Sequence, residues 1–384
     1  MNPTTTHTQK HMERVLHVHV FWTVAVLCLA QPLIANVSFA QASYSPFSYP
    51  GAATTDPQGP TGVRGAGGED VYVTGIWNSG SSQGLLYFGP LSGGGNNGTW
   101  TVLNYPGAAN TSLYGPDSLP SGDVRLVGSY TACDPTPAPR NHGLLYEGPP
   151  DNSCSTCWQT IDFPISAASP SPSPGEEVHN TIAHSTMGGL AVGNFDTNFD
   201  PGSAWVYDVA AASWKELPKA PLNAKTLTAY GIWYNGGTSY TIAGGYSDPG
   251  STGLDQHSYL VHWDSATQTA RDWTSYDFHN DHTRVLISHF DGITTDNQGG
   301  FYLTGTWEGE ANVGGFFAHV PRASHRAFGE AVWKDIEYPS SRGAHVDITT
   351  GNTVFENNVL GIFTSIPNPG PGVLQGYVAT VQRP

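Results

Sequence analysis

Charge is scarce in this sequence. Only 12% of its 384 residues are Asp, Glu, Lys or Arg, with 31 acidic against 15 basic and a net charge of −16. So few charges leave little for long solvated helices, and the acidic balance argues against nucleic acid and anionic membrane surfaces as partners. Cysteine is nearly absent, with four in all. No Gly-x-Ser-x-Gly, Walker loop, dinucleotide fingerprint or zincin helix motif occurs, which removes the commonest recognisable enzyme classes. Long apolar runs are missing too, apart from residues 20–39. That run lies behind Lys10 and Arg14 and ends at Ala40-Gln41-Ala42, a small-x-small cleavage pattern. Residues 1–42 therefore read as a secretory signal peptide cut before Ser43, leaving a secreted or periplasmic protein with no membrane span.

Glycine and proline, by contrast, are abundant, at 46 and 29 residues. They fit many short strands joined by turns. Six short apolar runs end in Gly-x-aromatic: Gly75/Trp77, Gly128/Tyr130, Gly193/Phe195, Gly244/Tyr246, Gly305/Trp307 and Gly361/Phe363. The mean interval is about 57 residues, the length of one repeated supersecondary unit that cannot bury its own faces. After each glycine strand comes a strand opening on a small residue, such as Gly84-Leu85-Leu86-Tyr87 or Gly143-Leu144-Leu145-Tyr146. In five units a further strand carries Trp100, Trp158, Trp214, Trp273 or Trp333.

The sixth unit lacks that last strand, because the chain stops soon after its third. Residues 43–50 have the missing form, with Tyr44 in the Trp slot, Tyr49 in the following aromatic slot and Pro50 after it. The sequence predicts an all-β, six-bladed β-propeller over residues 43–384, closed by this N-terminal strand. Its blades run approximately 51–106, 107–164, 165–221, 222–278, 279–339, and 340–384 with 43–50. A monomer is expected.

Tyr105-Pro106-Gly107-Ala108, Asn141-His142-Gly143-Leu144-Leu145-Tyr146 and Thr160-Ile161-Asp162-Phe163-Pro164 resemble bacterial extracellular HAF-type repeats. Trp205-Val206-Tyr207-Asp208 with Trp214 is nearer to kelch-like spacing. The resemblance implies export and a β-repeat architecture, and brings no catalytic residues.

Propellers take ligands at the channel mouth, near the first strand of each blade. His289-Phe290-Asp291 and His345-Val346-Asp347 stand at the same offset ahead of their respective glycines, Gly305 and Gly361. Alternate residues on a strand share a face, so each pair projects two polar groups the same way. The two pairs are expected to meet near the channel. With His282, Arg284, His184 and Tyr230 they form the candidate ligand site. Such groups suit a structural tie, a divalent metal such as zinc on His289 and His345, or acid–base work. Asp196, Asn198 and Asp200 alternate oxygen ligands as calcium loops do, although no distal Glu follows. The Ser-Pro stretch at 169–175 reads as an inserted loop, or a lid over the site.

The leading functional expectation is a non-enzymatic binding module for a carbohydrate, peptide or envelope component. The alternative is a propeller lyase or hydrolase using the His-x-Asp pairs. Cys154 and Cys157 are expected to bridge, because strand lengths put Cys133 about 20 Å from either, beyond the roughly 7 Å reach between bridged Cα atoms.

Overall fold

In the computed structural model, residues 42–384 are described apart from 54, 134–140, 251–255, 281–282, 311, 325–326, 342–343, 368–371 and 384. The expected leader lies outside the described residues except for Ala42. The fold is all-β: 25 strands and two single-turn 3-10 helices, Ile165–Ala167 and Ala220–Leu222, account for the regular structure described. Among the described residues no helix is long and apolar enough to cross a membrane.

The strands follow one another as antiparallel meanders of four. Gln58–Gly67, Asp70–Asn78, Ser82–Pro90 and Thr99–Val102 form the first unit. Its successors begin with Ala108–Ser118, Val178–Met187, Thr226–Gly236 and Val285–Thr295. In the sixth unit the first strand is broken into Ala344–Thr349 and Thr353–Phe355. Its last strand comes from the other end of the chain, where Ala42–Pro46 pairs antiparallel with Val373–Val381, Tyr44 opposite Ala379.

One sheet per repeat holds only for the first three units. The last three are joined into a 13-stranded mixed sheet. Two single parallel bridges do this, Gln256 to Ile287 and Val313 to Ile348. Each links the start of a third strand to the first strand of the next unit, where the two edges converge.

The repeat glycine has a steric origin. A β-carbon on Gly128, Gly193, Gly244, Gly305 or Gly361 would collide with the carbonyl oxygen of Ser112, Ile182, Thr228, His289 or Thr350. Gly75 stands in the same relation to Gly59, at 2.9 Å. The oxygen lies there because the first strand bulges opposite the glycine. Pro60 pairs with Gly75 and Gly62 with Thr74, leaving Thr61 extra. The same slip leaves out His184, Tyr230 and Asp291, and in the second unit Tyr114 with Gly115. A bulge adds a residue and tilts the neighbouring carbonyls.

The aromatic two residues past the glycine is clasped by the preceding unit. Tyr105 stacks on Tyr130 with centroids 3.8 Å apart, Phe163 on Phe195 at 3.9 Å and Tyr338 on Phe363 at 3.7 Å. Phe278 meets Trp307 at 5.9 Å, and Tyr49 meets Trp77 edge-on at 5.2 Å. At the third-to-fourth junction Leu217 takes the aromatic's place and shares a core cluster with Tyr246.

Each of the six core clusters lies between two units rather than within one. Phe47, Val71, Val73 and Tyr87 pack with Leu360 and Val378, so the sixth unit shares a core with the first. Units that cannot bury their own faces are thus covered by their neighbours.

The glycine argument makes a stability prediction. Gly305→Ala should cost about 3 kcal/mol or more, since the clash is with backbone and cannot relax cheaply. Gly202→Ala, whose β-carbon would find nothing nearer than Thr226 at 3.4 Å, should cost less than about 1 kcal/mol. Urea denaturation of both variants checks this, and equal losses would refute the steric reading.

Candidate functional site

The bulges do more than exclude a β-carbon. A residue left out of the ladder is free to turn its side chain along the strand edge. Thr61, Tyr114, His184, Tyr230 and Asp291 all line one pocket of about 270 Å³. Asn352 joins them from the break in the sixth unit's first strand, and His289 and Thr306 complete the wall. Every unit therefore contributes one side chain, two residues after the carbonyl that covers its glycine.

Four rings follow one another around the wall. Tyr114 and His184 have centroids 5.2 Å apart, His184 and Tyr230 4.8 Å, and Tyr230 and His289 5.1 Å. His289 Nδ1 donates to Asp291 Oδ1 at 2.8 Å, and Thr306 Oγ1 donates to Asp291 Oδ2 at 3.2 Å. His184 Nε2 donates to Asn194 Oδ1 at 2.7 Å. Across the pocket, Thr61 Oγ1 donates to Leu113 O at 2.5 Å and Asn352 Nδ2 to Pro60 O at 2.9 Å.

These neighbours push the two imidazoles in opposite directions. Burial lowers His184 to about 4; the Asn194 hydrogen bond only partly opposes this, and the His289 charge adds to it. Burial also pulls His289 down, but the charge and hydrogen bond of Asp291, with Glu308 beyond, raise it above its ordinary value. Burial raises the phenols of Tyr114 and Tyr230, and the Asp291 charge pushes Tyr230 further. At neutral pH the wall therefore holds a neutral His184 imidazole and two protonated phenols, beside a His289 imidazole hydrogen-bonded to Asp291.

Of the expected ligand residues, His184, Tyr230, His289 and Asp291 come together here. Arg284, His345 and Asp347 are exposed and do not line the pocket. His282 lies outside the described residues. The two His-x-Asp pairs thus do not meet, although both stand at one offset before their glycines. The sixth unit's hairpin past its strand break is short, running Thr353–Phe355 out and back along Asn358–Leu360. Asn352, not Asp347, consequently occupies the position of Asp291.

The metal expectations also find no assembled site. Asp200 is held by Lys219 at 2.6 Å, Asn198 Oδ1 accepts from Glu177 N–H, and Asp196 accepts from Asn180 Nδ2. Among the described residues no three His, Cys, Asp or Glu side chains converge as ligands for calcium or zinc. The Ser-Pro insertion is tied down beside this loop. Ser169 N–H donates to Glu216 at 2.6 Å and Asn198 Nδ2 to Gly175 O at 2.9 Å. Cys154 and Cys157 are bridged with Cα atoms 5.5 Å apart, and Cys133 is an exposed free thiol.

Thr61, Tyr114, Asn352 and Thr306 escaped the sequence reading. The residue types at the bulge share no signature, but their offsets do. Thr61, Tyr114, Tyr230 and Asp291 each precede their repeat glycine by the same interval. His184 and Asn352 share a second, shorter one.

No protein-family model matches the sequence, and no curated protein is similar to it. Among solved structures, a protein of unknown function from Dyadobacter fermentans is similar over 90% of this chain and 100% of its own, at 9% identity and a TM-score of 0.51. That is a likeness of fold alone. An ulvan lyase of a polysaccharide lyase family reaches a TM-score of 0.42 at 12% identity, over 84% of this chain and 80% of its own. SapL1 lectin in complex with α-methyl fucoside reaches 0.40 at 13% identity, over 87% and 98%. Both likenesses are too loose to bear on function.

His184 makes the site sensitive to acid. Its folded pKa is depressed, so its contribution is present above the unfolded value near 6.5 and is lost as pH falls toward about 4. Between pH 7 and 4.5 the wild type should lose about 2–3 kcal/mol more stability than His184→Gln. Chemical denaturation at the two pH values measures the difference, and identical losses would remove His184 as the cause.

Proposed function

We propose that the protein is an exported, non-enzymatic binding module, built as a six-bladed propeller, that takes a small uncharged carbohydrate at the mouth of its central channel. The ring reading draws on the core shared by the sixth and first units, the N-terminal strand beside Val373–Val381 and the Tyr49–Trp77 contact. Export draws on the leader pattern and on the HAF-type motifs in the sequence.

One observation carries the ligand reading: all six units turn side chains into the same pocket, one each from five of them and three from the fifth unit. Its volume, about 270 Å³, lies just under the range for drug-sized ligands, so it suits one sugar ring. Phenol hydroxyls and imidazoles offer hydrogen bonds, and the tyrosine faces offer apolar contact. Both Asp291 oxygens are already engaged, by His289 and Thr306, and are not free to select a cation.

A second reading has its own support. An imidazole raised by Asp291 on one side of Tyr230 and one lowered by burial on the other form an acid–base arrangement, as a lyase or hydrolase would need.

Isothermal titration against a panel of neutral and acidic monosaccharides tests both. Tyr230→Ala and Asp291→Asn should each weaken binding of a neutral sugar about tenfold or more, roughly 1.4 kcal/mol. Arg284→Ala and His345→Ala should leave it within about twofold. Binding that ignores Tyr230→Ala would overturn the site. Breakdown of an oligosaccharide by the wild type that stops in both His289→Ala and His184→Ala would replace the binding module with the enzyme.

A further inference from the structure

Beneath the pocket a single cation crosses from the first unit to the opposite side. Arg64 stands three residues past Thr61 and is 8% exposed. Its guanidinium donates to Ile293 O at 3.2 Å, Ser185 Oγ at 3.3 Å and Ile232 O at 2.5 Å, in the fifth, third and fourth units. The Trp233 ring covers it at 5.4 Å.

What Arg64 lacks is a counter-ion. Among the described residues no carboxylate lies within 4.0 Å of it, whereas Arg125 has Glu147 at hydrogen-bond distance and Asp117 at 3.9 Å. Asp117 acts on Arg64 only through space, and accepts from Gly188 N–H at 3.0 Å. Arg64 Nε is buried with no hydrogen-bond partner. Burial lowers the guanidinium to about 10, which still leaves it charged at neutral pH. A buried charge without a partner costs several kcal/mol, and two carbonyls and a hydroxyl offset only part of that.

A second, smaller cavity of about 20 Å³ lies against Arg64. It shares Thr61, His184, Tyr230 and Asp291 with the pocket above, and Gly62, Gly231 and Gly292 bring bare backbone to its edge. That volume holds one particle of about water size. The Asp291 carboxylate has one oxygen on His289 and the other on Thr306, so both oxygens are engaged on the pocket side.

We propose that this cavity is a halide site, in which the Arg64 guanidinium holds one chloride-sized anion beneath the ligand pocket. The anion supplies the missing counter-charge and an acceptor for Nε. It stands independently of what the pocket above binds. An anion here also cancels the field that Arg64 would cast upward into the pocket.

Thermal melts of the leader-free protein test the site, comparing sodium chloride, bromide and gluconate at constant ionic strength. Chloride and bromide should raise Tm by about 2 °C or more in a saturating manner, whereas gluconate, too large for the cavity, should not. Arg64→Met should abolish the halide increment. Crystals grown in bromide should show an anomalous peak beside the guanidinium. Equal melting in all three salts, a halide increment retained by Arg64→Met, or a cavity holding water and no bromide would each overturn the proposal. Should Arg64→Met fail to fold, the wild-type salt series and the bromide map decide it alone.

Discussion

The arrangement turns on a carbonyl oxygen lying where a β-carbon would be. In five units the first strand bulges opposite the repeat glycine, in the sixth it breaks there, and in each the displaced carbonyl settles onto that glycine. Two residues later the extra side chain leaves the ladder and faces the pocket. The glycine and the pocket residue are therefore products of one distortion. A chain that regularised the strand would gain freedom at the glycine and lose its site, which is why the bulge recurs although the bulge residues range over Thr, Tyr, His and Asp.

Between units the binding element is aromatic. At three junctions an aromatic after the fourth strand reaches over the next unit and stacks on the ring of its Gly-x-aromatic, with centroids 3.8, 3.9 and 3.7 Å apart. Such pairs contribute about 0.5–1.5 kcal/mol each beyond their buried area, less than the shared cores they border. Their larger effect is geometric, because a parallel stack admits one separation and fixes how far one unit stands from the next. The N-terminal segment obeys the same pattern through Tyr49 and Trp77, so the first residues of the described chain act as the tail of its last unit.

These two interactions decide what could be read from sequence. Gly-x-aromatic, and the aromatic that follows the Trp strand, were legible because steric exclusion and stacking each demand particular residue types. The bulge positions were only half legible. His184, Tyr230, His289 and Asp291 stood out as polar groups near first strands, but Thr61 and Asn352 look like any turn residues. Equal spacing misled at His345 and Asp347, since the hairpin past the strand break is shorter in the sixth unit than in the fifth. The Asp196–Asp200 loop only partly resembles a calcium loop, and the structure shows what occupies its Asp200 carboxylate. Lys219 arrives from beyond the unit's fourth strand to take Asp200, and no local pattern announces a cation so far along the chain.

The electrostatics of the pocket follow from the same geometry. Asp291 raises His289, positive charge on His289 opposes protonation of His184, and Tyr230 stands between them with its own ionisation suppressed. Burial sets each of these groups first, and the one beside it then adjusts it. The surrounding protein is strongly acidic, at −16 over the whole sequence, and its field turns anionic ligands away at long range. An uncharged ligand does not sense that field. It would be selected by hydrogen-bond geometry and ring contact alone, the two properties that a bulge in every unit is able to vary independently.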